Sequence, residues 1–141
     1  IHWKHEKPAR QETIASAIAH LGLSHIVVAA APVNPRRPER SRRIAMERLF
    51  AELDRKSVQH VWIESRTNAD NGRDQALLQA ARTKKIISSR LRVDFAKPLD
   101  EPMLWLPDVV AGAYGYARKG TNEKAWGALR LSTTAIELNT Q

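Results

Sequence analysis

The chain reads as an α/β domain, and three features of the sequence carry that reading. Ser24 to Ala31 (S-H-I-V-V-A-A-A) is a short continuous apolar run bounded by Gly22 and Pro32. That is the pattern of a strand buried on both faces, as in a parallel sheet. Glu39 to Arg55 places Met46, Leu49, Phe50 and Leu53 on one stripe and is the clearest amphipathic helix. Ser57 to Ile63 (S-V-Q-H-V-W-I) then supplies a second apolar strand. Helices and strands alternate along the rest of the chain, which implies a sheet that is at least partly parallel. The two apolar runs are its central strands.

In chain order, Pro8 to Leu21 forms the first helix, because Ile14, Ala17, Ile18 and Leu21 recur at helical spacing and Gly22 ends it. After the first strand, P-V-N-P-R-R-P is a loop forced by three prolines. Thr67 to Gly72 reads as a polar loop with Asp70 as an N-cap, followed by a helix from Arg73 to Lys85 with Leu77, Ala80 and Ala81 inward. Leu91 to Ala96 alternates apolar and polar residues, as a half-exposed edge strand does. Met103 to Gly115 is the most apolar run, and its helix opens near Leu104 to Pro107 and reaches about Lys119. A short helix over Glu123–Leu129 and a terminal strand over Thr133–Leu138 complete the chain. No internal repeat or long linker divides it, so residues 1–141 form one domain. The chain opens at Ile1 rather than Met, and we read it as the C-terminal portion of a longer domain.

The helix after Met103 has an unusual face. From Asp108, steps of three, four and seven residues reach Ala111, Gly112 and Gly115, a nearly bare stripe. Two glycines in a helix cost roughly 1 kcal/mol each relative to Ala. Close approach to a sheet would compensate, with Asp108 aimed beside the contact.

Charge narrows the choice of partner. Twenty-three Lys and Arg against 15 Asp and Glu give a net charge of +8, which points to nucleic acid or another anionic surface. No apolar run approaches the roughly 20 residues of a membrane span, so no membrane partner and a cytoplasmic setting are expected. The absence of cysteine rules out disulfides and thiolate metal sites.

Two groups of side chains could carry chemistry. Five arginines, Arg36, Arg37, Arg40, Arg42 and Arg43, crowd the start of a helix, where the macrodipole opposes positive charge. An anionic ligand accounts for them better than solvent does, and no Gly-rich phosphate loop offers an alternative. Glu64 ends the second strand, at the edge where open α/β sheets bind ligands, with Arg66 two residues on. With Glu6, beside His2 and His5, and with Asp108, it makes three carboxylates, the oxygen-only donor set that Mg²⁺ or Mn²⁺ prefers.

The motifs H-W-K-H-E (His2–Glu6), R-x-E-R-S-R-R with M-E-R-L (Arg37–Leu49), W-I-E-S-R (Trp62–Arg66) and L-W-L-P-D-V-V-A-G-A (Leu104–Ala113) span most of the chain. Together they resemble the bacterial family called domain of unknown function 3800, in its actinobacterial form. The resemblance implies a ribonuclease-H-like fold, a mixed central sheet flanked by helices, and metal-dependent nuclease chemistry. By motif, Asp108 corresponds to the family's helical aspartate, Glu64 to its strand-end acid, and Glu6 with His2 to the acidic start of the first helix. The family's usual first hairpin, with its aspartate, has no counterpart from Ile1 onward.

The resulting expectation is a Mg²⁺- or Mn²⁺-dependent hydrolase of phosphodiester bonds in DNA or RNA. Glu6, Glu64, Asp108 and His2 would bind metal, while Arg66 and the arginines of residues 36–43 would hold phosphates. One alternative is a non-catalytic nucleic-acid-binding domain of the same fold. Another is a protein-interaction module whose Trp3, Trp105 and Trp126 line an interface.

Overall fold

The computed structural model describes residues 3–141. It is a mixed α/β structure in which the chain divides into two compact units. One unit holds the chain up to Val27 and Glu101–Ala135; the other holds Val28–Asp100 and Ile136–Gln141. The strands form two two-stranded sheets, in which β1 (His25–Ala31) pairs with β4 (Thr133–Asn139) and β2 (His60–Glu64) with β3 (Arg92–Ala96). Short apolar runs announce strands but not their neighbours, and the two runs expected to be the central strands of one sheet lie in different pairs. β1 is also less enclosed than its composition suggests: only Val27 is fully buried.

In the first unit, α1 (Pro8–Ala19), α4 (Trp105–Arg118) and α5 (Glu123–Leu129) enclose a core that includes Trp3, Ile14, Ile18, Val110, Ala113 and Leu129. Trp3 is only 2% exposed, so it is a core residue and not part of an outward interface. Its backbone is fixed at both polar atoms. The N–H donates to Asp108 Oδ2 at 3.3 Å, and the carbonyl accepts from Gln11 Nε2 at 2.8 Å. Asn122 Nδ2 in turn donates to Gln11 Oε1 at 2.8 Å. The bare stripe on α4 therefore meets an indole ring, where a sheet was expected. A Cβ built on Gly112 would stand 2.5 Å from Trp3 Cδ1 and Cγ, whereas one on Gly115 meets nothing within 4 Å. Pro107 occupies the first turn of α4, among the positions whose N–H groups have no helical acceptor.

β1 opens with His25, whose Nε2 is buried without a hydrogen-bond partner among the described residues. Burial lowers its pKa below the ordinary 6.5, so the folded chain holds this ring neutral. The unfolded chain takes up the proton first. The contribution is therefore complete above the unfolded value and is lost as pH falls through 6.5 toward the folded value. A denaturant midpoint lower at pH 5 than at pH 7 is expected, with the difference reduced in His25→Leu. An undiminished difference would assign the effect to other groups.

The second unit supplies the alternation that the sequence announces: α2 (Pro38–Arg55), β2, α3 (Asn68–Thr83), β3. β2 and β3 run parallel, with His60 opposite Arg92, Trp62 opposite Asp94 and Glu64 opposite Ala96. Val61, Ile63 and Val93 pack against a core that includes Met46, Phe50, Leu78, Ala81 and Leu91. Two boundaries differ from expectation. Ser57 adopts a left-handed φ of 61° at the end of α2, which delays β2 to His60. α3 begins at Asn68 and not at Arg73, and its cap is Thr67, whose Oγ1 accepts from the Asp70 N–H at 3.2 Å. T-N-A-D-N-G looks like a loop by composition, but a Thr cap satisfies a free helical donor and Asp70 complements the dipole.

Candidate functional site

The arginine cluster gathers along a groove between α2 and α3. The prolines at 32, 35 and 38 keep the preceding segment out of the helix, and Pro38 begins it. Arg36 is fixed by its N–H, which donates to Asn34 Oδ1 at 2.9 Å. Arg37, Arg40 and Arg43 then recur every third residue and lie along one side of the helix. Arg73, Ala76, Leu77 and Ala80 of α3 face them across an open groove of about 920 Å³.

The arginines divide into two sets. Arg36, Arg37 and Arg43 are exposed, and none has a side-chain ion pair or hydrogen bond among the described residues. Arg40 is also exposed, and its Nη1 donates to the Thr140 carbonyl at 2.9 Å. Arg42 and Arg66 are instead bound to Asp74, a carboxylate only 2% exposed. Arg42 Nη2 lies 3.1 Å from Asp74 Oδ2, and Arg66 Nη2 lies 2.8 Å from Oδ1. Arg66 Nη1 donates to Glu39 Oε1 at 3.1 Å. Burial disfavours the Arg66 charge, but its bonds to Glu39 and Asp74 outweigh that effect and raise its pKa. Arg42 thus lines the groove with its charge already paired, and Arg66 shares the same carboxylate. Sequence reasoning missed Asp74, although its position three and four residues before Leu77 and Leu78 places a carboxylate on the inward stripe of α3. It also placed Ala80 inward, whereas Ala80 is exposed in the groove.

The carboxylates are distributed differently. Glu64 is exposed at the carboxyl end of β2, in the second unit, whereas Glu6 and Asp108 belong to the first. Asp108 is exposed, and one of its oxygens holds the Trp3 N–H. Glu6 is half-buried, and its own N–H donates to the Trp3 carbonyl at 3.2 Å. His2 lies outside the described residues. Among the described residues, no three His, Asp or Glu side chains stand together as a metal-binding group.

A third cluster, which the sequence reading did not single out, lies on the other face of the β2–β3 pair. His60 stacks on Trp62 with ring centroids 3.6 Å apart, and its Nε2 lies 2.6 Å from Asp94 Oδ2. Arg92 Nε donates to the same oxygen at 2.9 Å. The His60 contact, aided by Arg92, holds the Asp94 pKa below the ordinary carboxylate value. Trp62 remains 47% exposed. The signal was the alternation H-V-W-I-E in register with R-V-D-F-A, which puts His60, Trp62 and Asp94 on one face.

No family model, curated protein or solved structure matches the chain.

Proposed function

We propose that this chain binds nucleic acid through the groove between α2 and α3. One observation carries the reading: Arg36, Arg37 and Arg43 share this groove without carboxylate partners among the described residues, while Arg42 and Arg66 are neutralised by Asp74. Like charges held together repel, and a row of phosphates relieves that repulsion while releasing counterions. The net charge of +8 acts in the same direction. Among the described residues, no helix is long and apolar enough to cross a membrane.

The test is Arg36→Ala, Arg37→Ala and Arg43→Ala combined. Nucleic-acid affinity is expected to fall by about tenfold or more, uniformly across sequences, while the denaturant midpoint barely moves because exposed charges contribute little to folding. Arg42 is left intact because its loss would disturb Asp74. An unchanged affinity would remove the groove from binding.

A second reading, Mg²⁺- or Mn²⁺-dependent phosphodiester hydrolysis on a ribonuclease-H-like fold, is supported by Glu64. It is an exposed acid at the carboxyl end of a parallel strand, within the W-I-E-S-R motif that carries the family resemblance. Adding either metal to the bound complex separates the readings: cleavage supports the nuclease, and binding without cleavage supports the binding domain.

A further inference from the structure

We infer that the groove takes a single strand of nucleic acid, with phosphates along its arginine rim and bases against its apolar floor. This inference rests on the nucleic-acid reading above and specifies its ligand. The groove does not end at Arg43. A second stretch shares Arg40, Arg43, Leu77 and Ala80 with the first and continues to Ile44, Arg48 and Lys84. From Arg37 to Ala51 the helical rise alone covers about 21 Å. Basic groups therefore line the whole length instead of crowding the start of α2. The acids along it are Glu39, Glu47 and Asp74, and Glu39 and Asp74 are bound to arginines.

The floor decides what kind of anion fits. Ala76, Leu77 and Ala80 from α3 and Ile44 from α2 make it apolar, so phosphates gain nothing there and base faces do. A duplex keeps its base faces stacked inside and shows only base edges in its grooves. Its phosphates would meet the arginine rim and leave the floor empty. An acidic amphipathic helix could also meet the arginines, but it binds by seating large side chains in sockets. Alanines at 76 and 80 offer a flat surface instead. A flat apolar strip between cationic walls suits planar bases on a charged backbone.

Two exposed positions of α3 test this on the full chain. Ala80→Glu puts a carboxylate on the floor, and Gln79→Glu adds the same charge at a neighbouring position outside the groove lining. Glu is a good helix former, so neither should disturb α3. Binding is measured with thymidine and uridine oligonucleotides and with a duplex of equal length. Single strands are expected to bind about tenfold tighter than duplex, and Ala80→Glu to weaken them by about tenfold while Gln79→Glu changes them by less than about threefold. Equal or tighter duplex binding, or equal effects of the two substitutions, would overturn the single-strand inference and leave the nucleic-acid reading standing. Displacement of the strand by poly-glutamate more readily than by unlabelled strand would also overturn it, in favour of an acidic protein partner. Failure of every nucleic acid to bind would instead remove the reading on which it rests.

Discussion

Gly112→Leu is expected to lower the stability of the chain by roughly 1–3 kcal/mol, toward the upper end of that range, through overpacking. The first atom of any side chain at 112 would already stand 2.5 Å from the Trp3 ring. The ring has little freedom to retreat, because Asp108 holds the Trp3 N–H and Gln11 holds its carbonyl. Gly112→Ala sharpens the test. On helix propensity alone Ala should stabilise by about 1 kcal/mol, so a loss on this substitution can only come from the collision. Gly115→Ala, with open space around its missing Cβ, should show the propensity gain. Chemical denaturation of the three variants checks the set. A gain at both glycines would mean that Trp3 is not held against α4.

Asp74→Ala is expected to cost about 2–4 kcal/mol, somewhat below the usual penalty for breaking a buried ion pair. The carboxylate is buried, but Arg42 and Arg66 keep 37% and 24% of their side-chain surface exposed, so water compensates part of the loss. The remaining cost is two guanidiniums without their shared anion, with Glu39 and the more distant Asp70 left to Arg66. Asp74→Asn preserves shape but loses the charge and one of the two acceptor oxygens, and should fall between wild type and Ala. A change within the few tenths of a kcal/mol typical of surface positions would show that the arginines are held by something else.

These residues show which parts of the structure were legible in the sequence. Periodicity located the elements, because an apolar stripe such as Met46 and Phe50 must face a core whatever its neighbours are. It placed α5 at its observed bounds and β4 within one residue. It did not find the start of α3, where polar composition hid a capped first turn. Strand partners were also out of reach, since β1 and β2 carry similar apolar runs and nothing in them names the strand alongside. The glycine stripe pointed to close packing at Gly112, but the partner was Trp3, more than a hundred residues away. The same distance problem hid Asp74. The arginine cluster was visible as charge density, whereas its division into free and neutralised members depends on an acid 32 residues beyond Arg42.

The salt dependence of binding shows whether the groove between α2 and α3 holds phosphates. For single-stranded nucleic acid, the slope of log affinity against log salt flattens by about 0.7 for each phosphate contact removed. If Arg36, Arg37 and Arg43 each hold a phosphate, the triple alanine variant should show a slope shallower than wild type by about 2. Its folding stability should stay the same. Equal slopes for the two proteins would place the phosphate contacts outside the groove between α2 and α3.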